Sequence, residues 1–278
     1  MRKEIVLPSI AAAGGLCGFF LRRWDLATAF EPGAGQARLL IPGAPSTAAL
    51  LAFSAAMVLV LALFCRGKHR EFAGGYDEAF AAKGSTPYIT AATLSAFLLL
   101  AAALCAGWAF VSGQNRIMTR MLLAVMCAAS FFCVLSTAKN NYRAEGRGKY
   151  SFTLLMPAYT CCVWLIAAYQ SRAADPVILD YLYELLAIIA ALLGLYFTAG
   201  FSFERSKVFR ASFFSLLAVY FSFVTLADGH DLATLLLYAF VIVYLLSSTA
   251  VLLYNCARPG EPQQNADFHT EVKPDEQQ

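Results

Sequence analysis

The chain holds 278 residues, of which 59% are hydrophobic and only 14% charged, with a net charge of +3 and a mean hydropathy of +0.61. A soluble domain carries about 25% charged residues, so this chain has too few ionic groups to clothe a water-facing surface of its size. A soluble enzyme, a disordered protein and a nucleic-acid binder resting on a basic face are excluded, which leaves a polytopic helical membrane protein whose first partner is the lipid bilayer.

A helix needs roughly 20 mainly apolar residues to cross a hydrocarbon core about 30 Å thick. Eight stretches supply them: Ile5–Leu21, Thr47–Phe64, Tyr88–Val111, Met118–Ala138, Ser151–Tyr169, Val177–Phe201, Phe209–Leu226 and Leu232–Tyr254. None carries a charge near its centre, and none alternates apolar with polar residues as a barrel strand does. The expected fold is an all-α bundle of eight transmembrane helices over residues 1–256, followed by a tail over 257–278. That tail is rich in Pro, Gln and acidic residues, so it cannot bury enough surface to order itself.

The first span follows Arg2-Lys3 and superficially has the form of a signal peptide with a small-residue cut near Ala27-Thr28-Ala29. Arg22-Arg23-Trp24-Asp25 would then put charge between the apolar core and the cut, so the segment is expected to stay as a span. The loop from Arg22 to Ser46 is rich in Pro and Gly and reads as turns rather than a domain. Between the second and third spans, Phe72, Tyr76 and Phe80 recur every four residues and share one face of a short helix. Beside Arg66, Lys68 and Arg70 that face suits an interfacial helix; the favoured alternative is a connector packed under the bundle. A cytoplasmic protein partner would engage residues 66–86 or the tail.

Start signals accompany several spans: Pro45-Ser46, Ser85-Thr86-Pro87, Asp175-Pro176 as N-cap and first helical residue, and Asp231 before the last. Pro8 and Pro157, each followed fifteen residues later by Arg23 or Arg172, are a faint echo of two four-helix halves. Gly14 with Gly18, Ala103 with Gly107, and Ala190, Gly194 and Thr198 are small-residue steps that let helices approach closely. The eight cysteines lie in or beside apolar runs and act as small apolar fillers, without a disulfide framework.

Fifteen of the 21 Lys and Arg residues fall on the side that holds both termini. Positive charge is retained in the cytoplasm, so both termini are expected there, in a cell (plasma) membrane. A single cysteine introduced at Gly35, after the native cysteines are replaced, should react with an impermeant thiol reagent on intact cells. One at Gly146 should not, and labelling in the reverse sense would invert the topology.

Chemistry at depth needs ionisable side chains. The three histidines, His69, His230 and His269, all lie outside the spans, so no span offers a serine–histidine pair. There is no His-Glu-x-x-His zinc helix and no phosphate-binding glycine loop. The expectation is a non-enzyme with no catalytic residue, no metal site and no cofactor. The polar groups worth attention gather at the outer ends of the spans. Asp180 and Glu184 are four apart on one helix face, and Arg116, Arg120 and His230 lie in neighbouring loops or helix ends. Together these five are the candidate ligand-binding residues, lining an outward vestibule for a cation or small polar solute. The plain alternative is pairing of the carboxylates with Arg116, Arg120 or Arg172 and a cap at Asp231, contacts of about 0–1 kcal/mol each in wet headgroups.

The segment Leu21-Arg22-Arg23-Trp24-Asp25-Leu26-Ala27-Thr28-Ala29-Phe30-Glu31-Pro32, with Ile41-Pro42-Gly43-Ala44-Pro45, resembles a family of multi-pass membrane proteins of anaerobic Gram-positive bacteria. The resemblance implies a cell membrane and brings no activity. Two functions suit the pattern: a small-solute or ion transport protein, or the membrane subunit of one; and a non-catalytic membrane module that assembles with or regulates a cytoplasmic partner.

Overall fold

The computed structural model describes residues 3–32, 38–66, 72, 74–113, 118–143, 151–173, 175, 177–203 and 207–257. Its long helices are α1 (Lys3–Thr28), α2 (Pro45–Cys65), α4 (Thr86–Val111), α5 (Met118–Arg143), α6 (Ser151–Arg172), α7 (Ile178–Ala199), α8 (Val208–Thr225) and α9 (Leu232–Ala257). All eight are long and apolar enough to cross a membrane. The short helix α3 (Gly75–Ala79), a 3-10 turn at Gly200–Phe203 and a hairpin of β1 (Phe30–Pro32) and β2 (Arg38–Leu40) complete the described elements.

The helices pack as two plus six rather than as two halves of four. α4, α5, α6, α7, α8 and α9 follow one another around a ring, which closes where α9 packs on α4. α1 lies against α8 and α9, and α2 against α1 and α8. Glycine makes the α1 seam close. A Cβ on Gly15 would lie 2.8 Å from Phe223 Cβ, and one on Gly18 would lie 2.6 Å from Val224 Cγ2. Gly194 of α7 likewise meets Ser215 of α8, where a Cβ would lie 3.1 Å from its Cα. Gly107 has nothing within 4 Å of a Cβ, so the Ala103–Gly107 step does not serve packing. Gly15→Ala should therefore destabilise the protein in detergent by about 1–3 kcal/mol, the usual cost of overpacking. Gly107→Ala should be neutral or slightly stabilising, since glycine inside a helix costs about 0.5–1 kcal/mol. Equal melting shifts for the two would refute the assigned seam.

Several helix ends differ from expectation, α5 running on to Arg143 and α9 to Ala257, and three of the differences have a visible cause. α1 continues seven residues past Leu21, because Arg22 and Asp25, three apart on one face, find partners inside the protein. α2 starts at Pro45 with Ala44 as its N-cap, so Ser46 sits in the first turn and its Oγ accepts from Thr28 Oγ1 at 2.9 Å. α7 starts at Ile178 behind Val177. Asp175 still serves the approach, its Oδ1 accepting from the Val177 N–H at 3.1 Å.

The aromatic stripe resolves as a packed connector. Helix α3 is only five residues long, and Phe72, Tyr76 and Phe80 are all buried in a cluster with Phe201, Val208, Ala211 and Leu252. Phe80 meets Phe201 edge-on at 5.4 Å. Asn141 Nδ2 donates to Tyr76 Oη at 3.1 Å and Tyr88 Oη at 2.8 Å, while Asn255 Nδ2 donates to the Ala79 and Ala81 carbonyls. The connector thus seals one end of the bundle and leaves no aromatic face for a leaflet. Lys68 and Arg70, which that reading also invoked, lie outside the described residues, as does the 258–278 tail. All eight cysteines are free thiols, with Cys65, Cys127 and Cys161 buried.

Candidate functional site

The opposite end of the bundle is polar inside. There α1, α4, α6 and α8 finish and α2, α5, α7 and α9 begin, so the helix ends that carry the candidate residues meet. An arginine can be taken out of water at such a place only if carboxylates and carbonyls meet each of its donors.

Arg22 meets that condition. It is about 1% exposed. Its Nε donates to Asp228 Oδ1 at 2.8 Å and its Nη1 to Asp25 Oδ2 at 3.0 Å. Its Nη2 donates to the Asp180 carbonyl at 2.6 Å, with the Asp180 carboxylate 3.9 Å away. The guanidinium lies over the Tyr183 ring at 5.4 Å and the Phe30 ring at 5.6 Å, the latter carried by the β1–β2 hairpin. Asp25 is fixed in turn by Thr47 Oγ1 of α2 at 2.7 Å. One side chain thus ties α1 to α7 and to the α8–α9 loop directly, and to α2 through Asp25.

A second arginine continues the network. Arg172, at the end of α6, places its Nη1 3.7 Å from Asp180 Oδ2 and donates from Nε to Glu184 Oε2 at 3.2 Å. Asp180 therefore bridges the two arginines. On the other flank Thr225 Oγ1 donates to Asp228 Oδ2 at 3.0 Å and lies 3.1 Å from His230 Nε2. The polar path runs Glu184, Arg172, Asp180, Arg22, Asp228, Thr225, His230, starting and ending at the same cavity.

That cavity, about 260 Å³, lies inside the six-helix ring. Its polar lining is Arg120, Ser171, Arg172, Glu184, His230, Asp231 and Thr234; its apolar lining includes Ala102, Leu123, Cys127, Trp164 and Leu237. Cys127 is seven residues inward from Arg120 and Trp164 eight from Arg172, so the floor lies about 11–12 Å below the polar rim at 1.5 Å per helical residue. Arg120 pairs with Asp231 at 2.7 Å, and Asp231 also accepts from Thr234 Oγ1 at 2.5 Å in the first turn of α9. The rim holds two cations and two carboxylates, each matched with one of opposite sign, around an aromatic and aliphatic floor.

Of the five candidate residues, Arg120, Glu184 and His230 line this one cavity. Asp180 lies behind it, between Arg22 and Arg172. Arg116 lies outside the described residues. Glu184 faces inward and is about 5% exposed, but its arginine is Arg172 rather than Arg120. Arg22 and Asp25 join the network although they were expected in a loop of turns, and Asp228, an outer polar group between the last two spans, meets Arg22 rather than the vestibule. The available signal was the three-residue spacing of Arg22 and Asp25, which puts opposite charges on one helical face. Among the described residues no group of three or more His, Cys, Asp or Glu could hold a metal ion.

No protein-family model, curated protein or solved structure matches the chain.

Proposed function

We propose that this protein is a small-solute or ion transport protein of the cell membrane, or the membrane subunit of one, and that the cavity among α4–α9 receives the solute. The observation that carries this reading is a polar-rimmed, apolar-floored cavity of about 260 Å³ inside a ring of membrane-length helices. Binding sites of this kind combine an apolar enclosure with a few convergent polar groups. Because the rim carries both signs in equal number, a small zwitterion is the best-matched solute: its anionic end meets Arg120 and Arg172, its cationic end Glu184 and Asp231. Both termini face the cytoplasm in this reading, from the positive-inside excess, so the cavity opens outward.

The test is a thermal-shift panel on the purified protein with the proteinogenic amino acids, spermidine, Na⁺ and K⁺, followed by uptake of any stabilising compound into proteoliposomes. A stabilising amino acid that is also taken up supports the reading. Absence of any shift across the panel would contradict it. The alternative, a regulatory module acting through residues 66–86 or the tail, loses the aromatic stripe as a docking face, because those side chains are already buried against the bundle.

A further inference from the structure

A second cleft lies at the other end of the bundle, where α7 ends and α8 begins. It measures about 730 Å³ and is lined by Leu155 and Tyr159 of α6, Tyr196 and Phe197 of α7, Gly200 and Phe203 of the 3-10 turn, and Lys207 and Arg210. The aromatic lining is not spent on the core: Tyr159, Tyr196 and Phe203 are each about half exposed, at 49%, 54% and 47%. Aromatic side chains at the end of a membrane helix belong at headgroup level.

The charges are equally uncommitted. Arg210 stacks on the Phe197 ring at 5.7 Å, and among the described residues no carboxylate lies within ion-pair distance of Lys207 or Arg210. This contrasts with Arg22, Arg120 and Arg172 at the other end, each of which is paired. Lys207 is also the N-cap residue of α8, and among the described residues no side chain caps that 18-residue helix. Its first N–H groups and the positive end of its dipole therefore add to the two cations. Two unpaired cations and an uncapped helix start, set beside exposed aromatic faces, are complementary to a phosphoryl anion attached to an apolar body.

We infer that the α6–α7–α8 cleft binds the headgroup of an anionic phospholipid, with Lys207, Arg210 and the start of α8 on its phosphate and the aromatic faces along its glycerol and upper acyl chain. The occupant is a membrane lipid rather than a soluble phosphate, because the cleft walls are aromatic and aliphatic and adjoin the apolar faces of α6 and α7. The inference is independent of any role for the cavity at the other end.

The experiment is native mass spectrometry and thermal melting of the purified full chain with added phosphatidylglycerol, phosphatidylcholine or glycerol 3-phosphate. Phosphatidylglycerol should be retained and raise the melting temperature more than phosphatidylcholine does, and glycerol 3-phosphate should do neither. A basic residue near an anionic headgroup contributes about 1 kcal/mol, so each of Lys207→Gln and Arg210→Gln should weaken phosphatidylglycerol retention on the order of fivefold. Arg66→Gln with Arg143→Gln, exposed cations at the same end, should leave retention unchanged. Equal retention of the two lipids, or unchanged retention in Lys207→Gln/Arg210→Gln, would overturn the site. An equal effect of glycerol 3-phosphate would overturn the lipid as its occupant. Among the described residues the exposed Lys207 has no ion pair to lose, so the single variant tests the site without threatening the fold.

Discussion

Arg22→Met should destabilise the protein by about 3–5 kcal/mol, the range for removing one partner of a buried charge pair. The methionine fills similar space, so what is lost is electrostatic: Asp25 and Asp228 stay buried, with their closest cationic partner gone. Arg22→Lys should rescue only part of the loss, since an ammonium cannot reproduce the planar fork that reaches Asp228, Asp25 and the Asp180 carbonyl together. Adding Asp228→Asn to Arg22→Met should recover stability, because one stranded charge is removed. Arg23→Met, an exposed neighbour on the same helix, is the matched control and should melt as wild type. Melting in detergent with size-exclusion chromatography measures all four. An Arg22→Met protein that melts with the Arg23→Met control would mean that Arg22 does not hold this end of the bundle together.

How far the sequence foretold this end follows from what each signal depends on. The spans were legible because membrane insertion depends on local composition, and seven of the eight apolar runs match their helices apart from a few end residues. α1 was cut short at Leu21 because a hydropathy window reads Arg22 and Asp25 as water-facing. Only the tertiary fold shows that Asp228, 206 residues away, neutralises the arginine. Glu184 could be placed inward because a carboxylate near the end of a long apolar run has few tolerable options. Which arginine meets it depends on the ring order that sets α6 beside α7, and no periodicity within one helix encodes that order. The aromatic stripe shows the same limit. A four-residue spacing announces a shared face, while burial against Phe201 and Leu252 depends on where the 3-10 turn and α9 end.

The network gives the cavity a mechanical consequence. Arg172 shares itself between Glu184 and Asp180, and Asp180 is also within reach of Arg22. In the proposed function, a solute that drew Arg172 or Glu184 toward itself would alter the balance at the side chain that ties α1 to α7, through discrete ion pairs.

Solute binding in the cavity is read out by ligand-induced melting of Glu184→Gln against wild type. The substitution keeps the side chain's shape and removes its charge, while the apolar floor at Trp164 and Leu237 is untouched. At a concentration one hundred times its dissociation constant, a solute stabilises the folded protein by about 2.7 kcal/mol. That is enough to resolve a full loss from a partial one. The amino acid giving the largest shift on the wild-type protein should give none on Glu184→Gln. The shift should be undiminished on Asp175→Asn, whose carboxylate accepts from the Val177 N–H on the approach to α7. A shift of wild-type size on Glu184→Gln would mean that no solute binds at this rim.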